Sequence, residues 1–285
     1  MRTLLSLAAV VALSGCAIIV TDGDNVRVHS AFSSNTVVGN GTPARDERAV
    51  LNLSSVDAGG ALHVEVRVGQ APSLVVEADS NLLPLIRTEA SGDKLRIYTD
   101  GSYRTNNLVR VIYTVPQLNE VKAHGSGRIA VSGLNGGPLK VRQSGSGAVE
   151  LSGDVSSLDA QSSGSGRMDG ERLTARSANL AASGSGRMSF GQIRGDFANI
   201  SVSGAGSVFA AGSVRTLTAR VSGSGSANLE RLASEQADLG TSGAGGITAN
   251  VTGALVAQGS GAGGIRVYGR PAQRTVNGSH IQLLD

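Results

Sequence analysis

Ala178-Asn179-Leu180-Ala181-Ala182-Ser183-Gly184-Ser185-Gly186-Arg187-Met188-Ser189-Phe190 carries the pattern that decides the fold. Before the glycines, Ala178, Leu180 and Ala182 alternate with Asn179, Ala181 and Ser183; after them, Met188 and Phe190 alternate with Arg187 and Ser189. Period two is the signature of a strand with one face in and one face out. Glycine suits the bend between the two strands, because it takes positive φ without a Cβ clash and lets adjacent backbones approach closely.

The same arrangement recurs along the chain. Gly-Ser-Gly or Gly-Ala-Gly occupies Gly125 and Gly127, Gly145 and Gly147, Gly164 and Gly166, Gly184 and Gly186, Gly204 and Gly206, Gly223 and Gly225, Gly243 and Gly245, and Gly261 and Gly263. Successive copies are 20, 19, 20, 20, 19, 20 and 18 residues apart. The residue before the first glycine is serine in every copy except the first, where it is His124. A fixed period of this length is the signature of a stacked architecture in which no unit buries its own apolar face. A twenty-residue unit has a contour of about 65 Å, enough for one coil, and eight coils stack into a rod of about 38 Å. The chain is therefore expected to be all-β: a parallel β-solenoid, or β-helix, of 19–20-residue repeats turning at Gly-Ser-Gly. A propeller blade needs about twice this period, and a leucine-rich repeat needs its Leu and Asn pattern.

Working outward, residues 121–270 read as the regular solenoid. Residues 45–120 have a different texture: Leu62, Val64, Val66 and Val68 alternate with His63, Glu65 and Arg67, and strands are expected near 74–78, 94–99 and 108–115. Pro72, Pro84 and Pro116 punctuate them, with a short helical or turn segment over 81–86. This region reads as wider, irregular β coils that begin the same sheet and cap one end, since an open edge invites aggregation. Residues 271–285 read as a C-terminal cap or tail.

At the amino end, Arg2 followed by the apolar run Leu4–Leu13 reads as a signal peptide over residues 1–15, too short to span a bilayer. It leads into Leu13-Ser14-Gly15-Cys16, which resembles the lipobox of bacterial lipoprotein precursors. That resemblance implies cleavage before Cys16, acylation of the cysteine and attachment to a membrane, several acyl chains anchoring where one is marginal. Residues 16–44 then form the lipidated cysteine and a tether. Ala17, where an aspartate favours inner-membrane retention, points to a lipid-anchored cell-envelope protein of the outer membrane, with the face left open. Cys16 is the single cysteine, so no disulfide is available.

Composition narrows the function. Glycine is 40 of 285 residues, hydrophobic residues are 40%, aromatics 3%, and the formal charge is +3 from 25 basic and 22 acidic residues. The core must be built of small side chains. Basic residues are dispersed and stacking platforms are scarce, so nucleic acid is not expected as a partner. His29, His63, His124 and His280 lack metal-ligand spacing, and neither a metal nor a cofactor is expected. Calcium-binding β-rolls need an aspartate after the glycines, whereas Arg128, Arg167 and Arg187 follow here. Gly261-Ala262-Gly263-Gly264 lacks the Lys-Ser/Thr of a phosphate loop. Gly240-Thr241-Ser242-Gly243-Ala244 misses the last glycine of a nucleophile elbow.

Asn81-Leu82-Leu83 to Ile86, Asp93-Lys94-Leu95-Arg96-Ile97, Val109–Pro116, Leu118-Asn119-Glu120-Val121 and His124-Gly125-Ser126-Gly127 follow one another in an order that resembles the bacterial putative auto-transporter adhesin, head GIN domain family. The resemblance covers roughly residues 45–270. It implies a β-helix-like fold, frequent lipoprotein signals and no catalytic residues. The expected function is a non-enzymatic envelope lipoprotein presenting a β-solenoid for adhesion or scaffolding, with envelope or host glycans or proteins as partners. The alternative is a polysaccharide-processing β-helix enzyme, although Glu150, Asp169 and Asp196 form no acidic constellation in sequence. Arg167 and Arg187, outward by parity and one coil apart, are the candidate ligand-binding residues, with acidic glycans as the matching chemistry.

Overall fold

The computed structural model describes residues 17–22, 25–30 and 36–284. The predicted signal peptide and Cys16 lie outside the described residues. Ala17–Asp22 and Asn25–Ser30 pair antiparallel as a separate two-stranded hairpin.

From Glu120 onward the alternation in the sequence becomes a parallel β-solenoid, each coil pairing in register with the next on both sides of the Gly-x-Gly corner and shifting register on the return. On the face that precedes the Gly-x-Gly corner, Val121, Val141, Ala160, Leu180, Ile200, Ala219, Leu239 and Ala257 stack as one inward column. On the face that follows it, Ile129, Val149, Met168, Met188, Val208, Ala227, Ile247 and Ile265 form a second. All sixteen side chains are buried. Where one position is enlarged, a neighbour shrinks: a Cβ on Gly170 would lie 2.6 Å from Cε1 of the Phe190 ring in the next coil.

Backbone hydrogen bonds join every corner to the next. The first glycine's carbonyl accepts the N–H of the second glycine of the next coil, as in Gly206 to Gly184 (2.9 Å), Gly225 to Gly204 (2.9 Å) and Gly245 to Gly223 (2.9 Å). The positive φ expected of these glycines is confined to the first and last copies, Gly125 and Gly261. Elsewhere the requirement is steric: a Cβ on Gly204 would press on the carbonyl oxygen of Gly184 and lie 2.6 Å from that of Ser183. Glycine is needed because coils touch backbone to backbone, and its left-handed freedom is not used there.

The column just inside the corner turns polar. Gln143, Ser162 and Thr241 occupy places that Ala182, Val202 and Val221 fill in other coils, and all are buried. Gln143 Nε2 donates to the Gly147 carbonyl (2.8 Å), adding a side-chain tie across the bend to the ladder bond that this carbonyl already accepts from the Arg167 N–H (3.0 Å).

The N-terminal region extends both faces, but not as coils throughout. Beyond Glu120–Ala123 lie Ser55–Ala58 and Lys94–Thr99 in parallel, then Ile86–Ser91 antiparallel. Beyond Arg128–Asn135 lie His63–Val68 and Arg110–Val115 in parallel, then Ser73–Asp79 and Pro43–Arg48 antiparallel. The antiparallel turn at the first face follows from a two-residue connection, Gly92-Asp93, with Gly92 at φ +60, which can join only antiparallel neighbours. Larger side chains fill this end. Tyr113 is fully buried, and its hydroxyl donates to the Leu53 carbonyl (2.8 Å) and accepts from the Leu53 N–H (3.1 Å).

The tether expected through residue 44 ends sooner. Val37–Val38 pairs with Tyr103–Arg104, and Pro43–Arg48 is already a strand of the cap. At the other end, Gln273–Asn277 and Ile281–Leu284 add a last parallel layer on Ala254–Gln258 and Ile265–Tyr268.

Candidate functional site

The outward residues of the second face create a groove. Ser126, Ser146, Ser165 and Ser185, the middle residues of successive corners, line its floor together with Arg128, Arg167 and Arg187. The opposite wall is the segment 99–109, which stands over the floor and adds Tyr103, Arg104, Thr105 and Asn107. The groove has a volume of about 1330 Å³ and is open to solvent along its length. Its lining contains four arginines and His63 but no carboxylate, in a chain that has 22 acidic residues.

The arginines differ in how they are occupied. Arg128 donates through Nε to Glu150 Oε1 (3.0 Å) in the next coil, and its Nη2 reaches the same oxygen. Arg167 and Arg187 stand in direct register on neighbouring coils, as their spacing predicts. Arg187 lies over the Phe209 ring at 5.6 Å from the centroid, a contact that orients the guanidinium without neutralising it. Among the described residues, Arg104, Arg167 and Arg187 make no ion pair. Asp169, the nearest acid in sequence to Arg167, instead accepts the Glu171 N–H (3.0 Å).

The wall is pinned by a residue that sequence reasoning missed. Asp79 is fully buried, accepting from Thr105 Oγ1 (2.6 Å) and Asn107 Nδ2 (2.5 Å). Those two hydrogen bonds outweigh burial and hold its carboxyl below the ordinary aspartate value. The strap 37–39 closes over the same point: Val37 N–H donates to Ser102 O (3.0 Å) and Gly39 N–H to Arg104 O (2.8 Å). Gly39 has no room for a Cβ, which would fall on the Asp79 carboxylate.

His124, the one break in the serine column, has a specific placement. Its Nε2 lies 3.0 Å from Asp57 Oδ1 and its Nδ1 2.9 Å from Ser144 Oγ, linking the cap to the first regular coil. His63 lies in the groove and is 3.9 Å from Glu65; the His280 ring reaches its neighbour Ser279, and its carbonyl accepts the Ile265 N–H (2.9 Å). Among the described residues no group of three His, Cys, Asp or Glu side chains is arranged to hold a metal ion, and no helix is long and apolar enough to cross a membrane.

Comparison with known proteins agrees with this architecture. The family model for the putative auto-transporter adhesin, head GIN domain, matches residues 52–192 and 171–271. Among solved structures, one from Parabacteroides distasonis ATCC 8503 described as a putative lipid binding protein is 24% identical, covering 88% of this chain and 100% of its own, with a TM-score of 0.65. A putative adhesin from Parabacteroides merdae ATCC 43184 is 20% identical over 88% of this chain and 99% of its own, with a TM-score of 0.68. A second putative adhesin from Parabacteroides distasonis ATCC 8503 is 20% identical over 87% and 100%, with a TM-score of 0.66. At these identities the likeness is one of fold. No curated protein matches the chain.

Proposed function

The chain belongs to the putative auto-transporter adhesin, head GIN domain family, and from that premise and the groove we propose that it is a non-catalytic adhesion or scaffolding protein of the bacterial cell envelope. In this reading Cys16 is the lipidated first residue of the mature protein and holds it to the outer membrane. The solenoid then presents its groove to envelope or host glycans or proteins. The observation that carries the reading is a long, rigid, carboxylate-free groove whose floor is hydrogen-bonded backbone. A surface of that kind is preorganised for binding, with little ordering cost on contact. Solved relatives of the fold described as adhesins support the same direction.

A lipid-binding role, the description of one structural neighbour, fits less well, because serine, glycine and arginine dominate the floor. One observation favours an enzyme instead: the Asp57–His124–Ser144 chain. Its connectivity is read here as a structural tie, since Nδ1 faces the serine and Nε2 the aspartate, and the serine belongs to a column repeated in every later coil.

The anchor is tested by Cys16→Ser. Wild-type protein should be processed and extracted only with detergent, while the variant should be soluble or unprocessed. A variant that stays in the membrane fraction after high-salt washing contradicts lipid anchoring at this residue. Incubating purified protein with polysaccharides should release no new reducing ends; depolymerisation lost in Ser144→Ala would establish the enzymatic reading.

A further inference from the structure

We propose that the groove binds a linear anionic polysaccharide, laid along the solenoid axis, through Arg104, Arg167 and Arg187. The inference rests on the adhesion reading above and names its ligand class.

The argument begins with charge. Arg167 and Arg187 are held one coil apart, a rise of about 4.8 Å. Two cations at that distance repel unless an anion lies between them, and no carboxylate of the groove does so. Arg128, in the same row, shows what the fold does when it wants neutrality: it supplies Glu150 from the next coil. Arg104 comes from the opposite wall, where the strap and Asp79 hold its backbone. Cations therefore face the groove from both sides.

Geometry selects the ligand. The groove floor from Ser126 to Ser185 spans three coil steps, about 14 Å, longer than one small anion fills, and its unpaired cations Arg167 and Arg187 stand one step apart within it. An extended chain with an anionic group on each sugar repeats at about the spacing of the coils, so that successive charges meet successive arginines. The planar guanidinium fork matches a carboxylate or a sulfate ester. Hydroxyls of Ser165 and Ser185 stand beside the arginines as partners for sugar hydroxyls. Nucleic acid fits poorly, since stacking platforms are absent from the floor and Tyr103, on the wall, turns its hydroxyl to the Ala61 carbonyl (3.4 Å).

The test uses the full-length protein in detergent with four probes: polygalacturonate, which carries only carboxylates; dextran sulfate, which carries only sulfate esters; neutral dextran; and single-stranded DNA. The expected result is binding to one or both anionic glycans, none to dextran, and weakening with salt. Arg167→Ser with Arg187→Ser should weaken it about a hundredfold, as the loss of two charge-assisted contacts. The charge-matched pair Arg194→Ser with Arg231→Ser, outside the groove, should bind as wild type with an unchanged melting temperature. The two anionic probes assign carboxylate or sulfate. No binding to either, equal binding to dextran or DNA, or equal loss in both double variants overturns the proposal. If cells carrying the protein adhere while the purified protein ignores all anionic glycans, the ligand class fails and adhesion stands.

Discussion

The repeat from Glu120 onward and the cap before it solve the same problem, closing a β core without α-helices among the described residues and without disulfides, in opposite ways. In the repeat, coils touch through glycine carbonyls, inward columns are filled mainly by Ala, Val, Leu, Ile and Met, with Phe190, Gln143, Ser162 and Thr241 as exceptions, and every pairing is parallel. In the cap, pairing is mixed, Tyr113 fills the interior, and long charged side chains knit the outer surface. Arg110 there bridges Glu65 (3.1 Å) and Glu77 (2.8 Å). Burial pushes the Glu65 carboxyl up, yet Arg67 and Arg110 outweigh it and hold it below the ordinary range. The difference teaches where a site can arise. A uniform repeat offers a uniform row of side chains, and where the irregular cap overhangs the second face that row becomes the floor of a groove.

Substituting glycines sharpens the contrast most strongly. Gly204→Val places a branched side chain against the carbonyls of the preceding coil and should cost about 3 kcal/mol, because a backbone cannot move aside as a side chain can. Gly101→Ala, on the cap's wall, meets nothing within 4 Å but must hold φ +100, so only backbone strain of about 1–2 kcal/mol is expected. Urea melts of the two variants compare them directly. Equal losses would mean that close approach is not what the repeat requires of its glycines.

A smaller effect concerns the wall alone. The Asp79 carboxyl titrates below its unfolded value, so its contribution is present above the ordinary aspartate range and lost as pH falls through the lowered folded value, below about pH 4. Hydrogen exchange at the Val37 and Gly39 amides should therefore accelerate in that acid range, after correction for intrinsic rates. The corner amides of Gly206 and Gly225, which depend on no carboxylate, should keep their protection. Uniform loss across both regions would show that acid acts globally.

The repeat was legible because one signal, period two around Gly-x-Gly, was reported eight times, so its strands and the outward place of Arg167 and Arg187 followed directly. The cap was legible only in pieces. The strands near 62–68, 74–78, 94–99 and 108–115 were expected, but alternation says nothing about which strand a neighbour will be. The hairpin at Gly92-Asp93 and its first strand, Ile86–Ser91, were not anticipated, although a Gly-Asp pair ahead of a strand is a hairpin signal. Asp79 was hidden, since an aspartate at a strand end ordinarily reads as solvated. Its role depends on Thr105 and Asn107, which only the fold brings near. His124 was visible as the break in the serine column, while its partner Asp57 was not.

Removing whole coils tests directly whether the groove is built from cap and repeat together. Residues 163–182 and 222–241 are each one coil by observed register, and either excision joins equivalent positions. The first removes Arg167 from beneath the wall, and the second removes a coil that does not line the groove. Circular dichroism, urea melting and anionic-glycan binding should be measured on both. The expected result is two cooperatively folded β proteins, one coil shorter: the 222–241 deletion binds as wild type, and the 163–182 deletion, in which Arg187 takes the place of Arg167 and the pair becomes a single arginine, binds about tenfold more weakly. Loss of folding in both would contradict the in-register solenoid, and full binding by the 163–182 deletion would contradict the groove as the recognition surface.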